Sequence, residues 1–552
     1  MSARTLALLE KLRDNYTPEA AARKRAALRA LQRSHLSTAD QVRRLHEVLC
    51  FLRAWPDDAS VLQAVERLLA GFSRRADLRA HREALAYSGI EGTLTWFPFF
   101  YPTAQWIARR WPDALHLDRS DATAGETIAK VLPALLTPLE SLALRESHLA
   151  GYDALDRLRG KRSDATFLIE RVAAMPGTEA TREAVYDLIN PSCELQPAPG
   201  VPSRTQARFA PAPTAWQTTP LRRGRPDLRA ELQRPPRRLR RLPLTDGEDL
   251  LTLARGAMIT RQRDLDTIAW GDARDVWLAD DGGGLAFALI GMLPSRRAAL
   301  PALYGGLTLR NGVPVGYFQA DFLGRSAAVS FNTFDTFRGG ESALQFARLL
   351  AALRAFAGVT SFSIEPYQLG EGNEEGIASG AWWFYFKLGF RPRARAALRL
   401  AARESARQRA RTSYRSPLPV LRQLARHHVF FDLDPNDHPA LLLPSRIGLQ
   451  VGATLARLDA TSREAAVERA GHIAMQRLGL PSLRGFNRAE RIAWTRLAPL
   501  IAALPTDPWS AGERAALVQL VRAKGARSER LYAQLCCRHR PFETALAAWS
   551  AV

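Results

Sequence analysis

The sequence predicts an α+β protein in which a central mixed sheet with flanking helices lies between two all-helical regions. Residues 276–334 contain short apolar runs separated by turn residues, a pattern typical of an antiparallel meander. Helical and strand patterns then alternate over residues 342–393. Residues 1–190 and 396–552 carry apolar side chains at helical spacing. At 552 residues the chain is long enough for about two to four domains.

Residues 1–190 are predicted to form a helical domain. Leu6, Leu9 and Leu12 recur at helical spacing, and similar stripes follow along this region. Thr17 and Thr137 each precede a proline, which places proline in a first helical turn behind a residue that caps helices well. Several amphipathic helices are expected to pack their apolar stripes against one another.

Residues 191–244 are predicted to be a linker or an extended segment wrapped over the protein. Proline recurs throughout this segment and excludes a helix interior or a central strand. Its second half, residues 222–241, holds nine arginines against Asp227 and Glu231.

Residues 245–395 are predicted to form a compact mixed domain. Its apolar runs are separated by turn signals such as Asn311-Gly312, which favours a tight hairpin. The predicted elements are a helix at 247–260, strands at 276–279, 285–292, 303–310, 313–322 and 327–334, a helix at 342–356, a strand at 360–364 and a helix at 376–388. The remaining residues, 396–552, are predicted to be a second helical domain.

The segment Phe384-Tyr385-Phe386-Lys387-Leu388-Gly389-Phe390 resembles part of the GNAT superfamily of acyl-CoA-dependent N-acyltransferases. In that superfamily an aromatic-Tyr pair in the last helix is followed by Lys-Leu-Gly-Phe. The order meander, helix, strand, helix, strand within residues 245–395 is also that of the superfamily. The resemblance covers about a quarter of the chain, and it implies an acyltransferase domain that uses acetyl-CoA or another acyl-CoA as co-substrate.

The resemblance further implies a loop that binds the coenzyme's pyrophosphate between a strand and a helix. The helix dipole and free backbone N–H groups favour an anion at such a position. The implied cofactor-binding residues are Thr333, Arg338, Gly339, Gly340, Ser342 and Ala343. Glu341 stands where the superfamily has its central glycine. A carboxylate therefore lies where the backbone of the superfamily approaches the anionic pyrophosphate, and it would repel that anion. As an alternative, Glu341 is a first-turn acid that complements the helix dipole.

Acyl transfer to an amine needs a general base for the amine and an acid for the departing thiolate. The resemblance assigns the acid to Tyr385, whose alternative role is packing among neighbouring aromatic residues. The superfamily's asparagine seven residues earlier is Ala378 here. Glu365, at the end of the strand at 360–364, is the candidate base, with Glu374 and Glu375 as alternatives acting through water.

The loop at 364–376 is the preferred acceptor site, because it is long, rich in glycine and acidic side chains, and follows a strand. Its carboxylates suit a cationic amine, either a small molecule or a peptide. A flexible surface loop is the alternative interpretation.

The formal net charge of +22 raises the possibility of a nucleic-acid partner. Arginine and alanine dominate throughout, however, as in proteins from GC-rich bacterial genomes. The run at 222–241 is interrupted by proline and has no interleaved aromatic residues for base stacking. On its own the run is expected to give non-specific affinity for polyanions, and nucleic acid is not the favoured partner.

A cytoplasmic location is expected, with no membrane partner and no metal site. No apolar run in the sequence is long enough for a membrane span. The four cysteines lack CxxC spacing and are expected to be reduced thiols.

The leading hypothesis is an acyltransferase that transfers an acetyl or other acyl group from acyl-CoA to an amine acceptor. A second hypothesis is a non-catalytic scaffold or binding module of similar fold, contacting RNA through residues 222–241. A third, an aminoacyl-tRNA-dependent transferase of related fold, combines both features.

Overall fold

The computed structural model describes residues 2–209, 214–458 and 461–550. The chain forms two compact units. One comprises Met1–Leu221, Glu248–Gly271 and Leu309–Val315, and the other comprises Arg222–Gly247, Asp272–Thr308 and Gly316–Val552.

The first 195 residues are mainly helical, as predicted, but they also contain a small sheet. The helices are α1 (Ser2–Leu12), α2 (Pro18–Gln32), α3 (Ala39–Ala54), α4 (Ala59–Ala70), α5 (Ala76–Ala80), α6 (Tyr101–Arg110), α7 (Ala122–Val131), α8 (Pro138–Ser147), α9 (Gly151–Leu158), α10 (Asp164–Ala174) and α11 (Glu179–Ile189). The strands β1 (Thr95–Phe97), β2 (Leu115–Leu117) and β3 (Cys193–Leu195) form an antiparallel sheet in the order β1-β3-β2. The prediction of an all-helical N-terminal region was therefore wrong, because strands of three residues are too short to show a sequence period.

Both predicted helix starts in this region are confirmed. Thr17 caps α2, its side chain accepting a hydrogen bond from the Ala20 amide. Thr137 caps α8 in a reciprocal arrangement, in which the Glu140 side chain also accepts from the Thr137 amide. Leu6, Leu9 and Leu12 of the first stripe are buried. Helix propensity, capping and burial therefore agree in this region.

The central part contains the predicted mixed sheet. Its helices are α12 (Leu228–Gln233), α13 (Leu244–Ile259), α14 (Asp266–Ala269), α15 (Ser342–Ala357), α16 (Pro366–Leu369), α17 (Glu374–Ser379) and α18 (Ala381–Lys387). Its strands are β4 (Arg238–Arg241), β5 (Gly271–Gly282), β6 (Leu285–Met292), β7 (Ala302–Arg310), β8 (Val313–Leu323), β9 (Ser326–Thr333), β10 (Ser361–Ile364) and β11 (Arg391–Pro392). A single helix was predicted at 376–388, but it is divided into α17 and α18 by Gly380, whose φ of 68° is left-handed.

The C-terminal part is helical except for one strand. Its elements are α19 (Arg395–Ala410), α20 (Leu418–Ala425), β12 (Val429–Asp432), α21 (Pro444–Arg457), α22 (Arg463–Leu478), α23 (Arg488–Ala503), α24 (Ala511–Lys524), α25 (Arg530–Arg538) and α26 (Arg540–Ser550). The prediction that residues 396–552 are all helical missed β12, which joins the central sheet.

The central sheet has nine strands in the order β11-β12-β10-β9-β8-β7-β6-β5-β4. Strands β9 and β10 are parallel, whereas β8 and β9, and β10 and β12, are antiparallel. The sheet includes β4 and β12, which lie outside residues 245–395. The coarse fold class is therefore confirmed as a large mixed sheet with flanking helices.

The arginine-rich segment is more ordered than a linker or an extended wrap. It contributes the short helix α12 and the edge strand β4, which pairs antiparallel with β5. An edge strand tolerates this sequence because it pairs on one side only, and arginine side chains also discourage further pairing. Within the predicted segment, residues 210–213 lie outside the described part of the chain.

The two faces of the sheet differ at β8, β9 and β10. Phe318, Val329 and Phe362 lie on one face and are buried. This face packs on α15, where the ring of Phe331 lies 5.2 Å from that of Phe346. Because side chains alternate along a strand, the opposite face carries the intervening residues, which are mostly polar.

Candidate functional site

The predicted phosphate loop joins the carboxyl end of β9 to the start of α15. Arg338 and Gly339 follow a 3₁₀ turn at Asp335–Phe337, and Gly339 has a φ of 84° with open space beside its Cα. No side chain caps α15 within the described structure. The first backbone N–H groups of this 16-residue helix have no acceptor within the helix, as at any helix start, and no capping side chain accepts from them. Such N–H groups can bind an anion.

Arg338 is held at this loop by two carboxylates. Its guanidinium lies 2.9 Å from Asp335 Oδ1 and 3.0 Å from Glu375 Oε1. Thr333 Oγ1 donates a hydrogen bond of 3.3 Å to Ser342 Oγ, which ties the end of β9 to the first residue of α15. The structure therefore brings Thr333, Arg338 and Ser342 together and adds Glu375 to them.

Glu341 stands at the N-cap position of α15 but does not cap it. Its side chain is buried, and Oε1 accepts a 3.0 Å hydrogen bond from the Arg222 amide. Arg223 Nε donates to the Gly339 carbonyl at 3.1 Å. The arginine-rich segment thus contacts the predicted phosphate loop directly, a contact that the sequence did not predict.

Beside this loop the parallel strands β9 and β10 separate. Only Ser326 to Ala328 of β9 pair with β10, whereas β9 continues to Thr333. Among the described residues, no strand pairs with the last part of β9 on its β10 side. Unpaired strand groups can hydrogen-bond an extended ligand. The carboxyl ends of β9 and β10 lie at one sheet edge because the strands are parallel, and ligands commonly bind at such edges.

The polar face of the sheet holds two acidic residues near this edge. Register places Asp321 of β8 across from Ala328 of β9, which in turn faces Ser363 of β10. Glu365, the predicted base, follows β10 and is exposed. The carboxylates of Asp321 and Glu365 are close enough to repel each other.

Asp321 has the ionisation expected of a general base. Burial raises the pKa of its carboxyl to about 6, although the 2.9 Å hydrogen bond from Gln319 Nε2 lowers it and repulsion from Glu365 raises it. A carboxyl with such a pKa is mostly ionised at neutral pH while remaining a stronger base than an ordinary aspartate.

The sequence interpretation missed Asp321. A signal was present, because Tyr317, Gln319 and Asp321 alternate with the apolar Phe318 and Ala320 in a strand that was predicted. That alternation indicates a polar face opposite the core, but it does not indicate which polar residue lies near Glu365.

Tyr385 lies in an aromatic cluster on the side of the sheet that α15 covers. Its ring centroid is 5.4 Å from that of Phe346 and 5.9 Å from that of Phe390. The side chain is buried, and burial raises the pKa of its phenol well above the usual range. A phenol in this environment stays protonated at neutral pH. Within the described chain, no contact joins Tyr385 to Arg338 or to Glu365.

Glu374 and Glu375 of the loop after β10 form ion pairs with arginines. Glu374 Oε1 lies 3.0 Å from Arg422 Nη2, and Asn373 caps α17 by accepting from the Gly376 amide. The alternative bases Glu374 and Glu375 are therefore both paired with arginines.

The part of the chain that the structure describes contains no helix both long and apolar enough to cross a membrane. It also contains no group of three or more His, Cys, Asp or Glu residues arranged to hold a metal ion. Comparison of the chain with family models, curated proteins and solved structures gave no match.

Proposed function

We propose that this protein is an acyltransferase that moves an acetyl or other acyl group from acyl-CoA to an amine. The observation that carries the proposal is the position of Asp321 and Glu365 on the polar sheet face, at the edge where β9 and β10 separate. The resemblance of residues 384–390 to the GNAT superfamily supports the same chemistry.

In the proposed reaction, the unpaired edge of β9 holds the amide-bearing arm of the coenzyme. The amides that begin α15, together with Arg338, receive its pyrophosphate. Arg338 is half exposed and would exchange a carboxylate partner for a phosphate oxygen.

Proton transfer completes the reaction. The amine nitrogen attacks the thioester carbonyl carbon, and its proton passes to the Asp321 carboxylate. The carbon–sulfur bond then breaks, and the thiolate takes a proton from an acid, the role that the resemblance gives to Tyr385. Glu365, which is exposed at the same edge, attracts the cationic amine.

Acetyl-CoA is expected to raise the melting temperature of the purified protein, because a ligand that binds only the folded state stabilises it. Arg338→Ala should reduce this shift by removing a phosphate partner. Arg354→Ala is the matched control, since Arg354 lies near the other end of α15 and donates to the Leu232 carbonyl. Differential scanning fluorimetry provides the measurement. An unchanged melting temperature at millimolar concentrations of several acyl-CoAs would contradict the proposal.

Tyr385→Phe tests the assigned acid. If Tyr385 protonates the thiolate, the variant should lose about a hundredfold in kcat with coenzyme affinity nearly unchanged. The ring contacts with Phe346 and Phe390 remain, so stability should be retained. A wild-type kcat in steady-state assays would assign Tyr385 to packing alone.

A second candidate function is a non-catalytic binding module, and Glu341 is the observation that favours it. Its buried carboxylate occupies the loop where the proposed coenzyme phosphates would lie. Because like charges repel at short range, this carboxylate opposes a phosphate there. Glu341→Gly should strengthen acetyl-CoA binding if the loop receives phosphates, as isothermal titration calorimetry would measure.

A further inference from the structure

A second site in the same unit is a strongly basic pocket with a volume of about 930 Å³. It is lined by parts of α18 and α19 and by the chain around them. Its cationic residues are Arg225, Lys387, Arg391, Arg409 and Arg415. None of the described residues that line it is acidic. This concentration of exposed positive charge favours an anionic ligand.

Within the described part of the chain, the cations of the pocket have no carboxylate partner. Arg225 and Lys387 form no ion pair with any described carboxylate. Arg391 Nη1 instead donates to the carbonyls of Phe386 and Phe390, at 2.7 Å in both cases. Burial lowers the pKa of Arg391, and the positive charge of Arg225 lowers it further. Two guanidinium groups are therefore held close together at this site.

Aromatic rings lie among these cations. The Arg391 guanidinium stacks on the Phe386 ring at 3.9 Å from the centroid. Trp383 is only 9% exposed, and its indole N–H has no hydrogen-bond partner in the described structure. Because this N–H is itself shielded from the pocket, Trp383 contributes ring surface to the wall rather than a hydrogen-bond donor to a ligand.

Tyr414 adds a ring that is fixed in place. Its hydroxyl donates to Glu404 Oε2 at 2.9 Å, and Arg407 Nη1 donates to Glu404 Oε1 at 2.7 Å. Glu404 is fully buried and does not line the pocket, so its charge is used in orienting Tyr414 and Arg407. These contacts behind the pocket hold Tyr414 in one position, so this part of the pocket wall is formed before a ligand binds.

We propose that this pocket binds a nucleoside phosphate, with the base against the Tyr414 ring and the phosphate among the arginines. Stacking on aromatic side chains and contacts from arginine to phosphate are the two features that nucleotide-binding surfaces combine. The volume suits one nucleotide unit, since ligand pockets span roughly 300–1,000 Å³.

The tertiary structure brings an aromatic side chain to the arginine-rich segment, which contains none of its own. Residues 222–241 contain no aromatic side chain, yet the fold places Arg225 in a pocket with Tyr414. The ligand is either a free nucleotide or the terminal nucleotide of a single-stranded RNA, because both present a phosphate and an accessible base.

Isothermal titration calorimetry at physiological salt, without acyl-CoA, tests the proposal independently of acyl transfer. The probes are AMP and a single-stranded RNA pentamer, with pyrophosphate and adenosine as partial ligands. Saturable binding of AMP with equal or greater affinity than the pentamer identifies a free nucleotide. Tighter binding of the pentamer identifies an RNA end.

The double variant Arg225→Ala, Lys387→Ala should weaken binding of the preferred probe at least about tenfold, because hydrogen bonds to charged groups are lost. Both side chains are exposed, so the variant should fold normally. Arg399→Ala, on α19 but outside the pocket lining, is the charge-matched control and should bind as wild type. The proposal is overturned if neither probe binds, if pyrophosphate binds as tightly as the nucleotides, or if the double variant binds unchanged.

Discussion

Asp321→Asn is expected to lower the kcat of acyl transfer by about 10²–10⁴-fold, the usual contribution of a general base. The asparagine amide keeps the size of the side chain but cannot accept the amine's proton. In the wild type, the base form of Asp321 predominates above its pKa of about 6. The rate should therefore rise with pH through about 6 and then level off, and the variant should lack this rise. A pH–rate profile with a saturating amine acceptor provides the measurement.

The same substitution should not destabilise the fold at neutral pH. Burial raises the pKa of Asp321, so the folded state binds a proton more tightly than the unfolded state does. Stability from this group is present below the unfolded pKa and falls as pH rises through about 6. Asparagine does not ionise, so the variant does not lose stability in this way as pH rises. Its melting temperature at pH 7.5 should therefore equal or exceed that of the wild type.

Asp434→Asn is the control for the loss of one carboxylate, because Asp434 is exposed and accepts from the Asn436 amide. Its rate should match the wild type. A wild-type rate and pH profile in Asp321→Asn would remove Asp321 from the mechanism. A lower rate accompanied by a lower melting temperature would indicate a structural role instead.

Much of the central sheet could be predicted from the sequence, because its signals are local. The apolar runs that became β6, β7, β8 and β9 lie within one residue of their predicted bounds. Asn311-Gly312 forms the predicted hairpin turn, with both residues at positive φ. A turn that requires positive φ favours asparagine and glycine, so these two residues indicate a hairpin between the two strands.

The missed features depend on contacts distant in sequence. Strand β12 has four residues and is stable because β10 and β11 pair with it on both sides. The proximity of Asp321 to Glu365 follows from strand register, and the basic pocket joins Arg225 to residues more than 150 positions away. Neither composition nor periodicity contains such distances, so the sequence indicates Glu365 as a candidate base but does not indicate that Asp321 lies near it.

Arg348→Ala is expected to destabilise the folded protein by about 3–5 kcal/mol, because removal of one partner leaves a buried charge uncompensated. Arg348 of α15 is 1% exposed, and its Nη2 lies 2.6 Å from Asp281 Oδ1 while Nε contacts both carboxylate oxygens. Its Nη1 also donates to the Glu231 carbonyl of α12 at 2.6 Å. The substitution therefore leaves Asp281, a side chain only 9% exposed, without its bidentate partner and releases α12.

Arg354→Ala is the matched control, because Arg354 on the same helix makes a single hydrogen bond to α12, to the Leu232 carbonyl at 2.9 Å. Its loss should cost about 1 kcal/mol, as for an ordinary hydrogen bond. Urea unfolding followed by circular dichroism measures both values. The double variant Arg348→Met, Asp281→Leu should recover much of the lost stability, since replacing both members of a buried pair with apolar residues avoids the unpaired charge. If Arg348→Ala unfolds within about 1 kcal/mol of the wild type, the buried pair is not what holds α12 and the arginine-rich segment to the sheet.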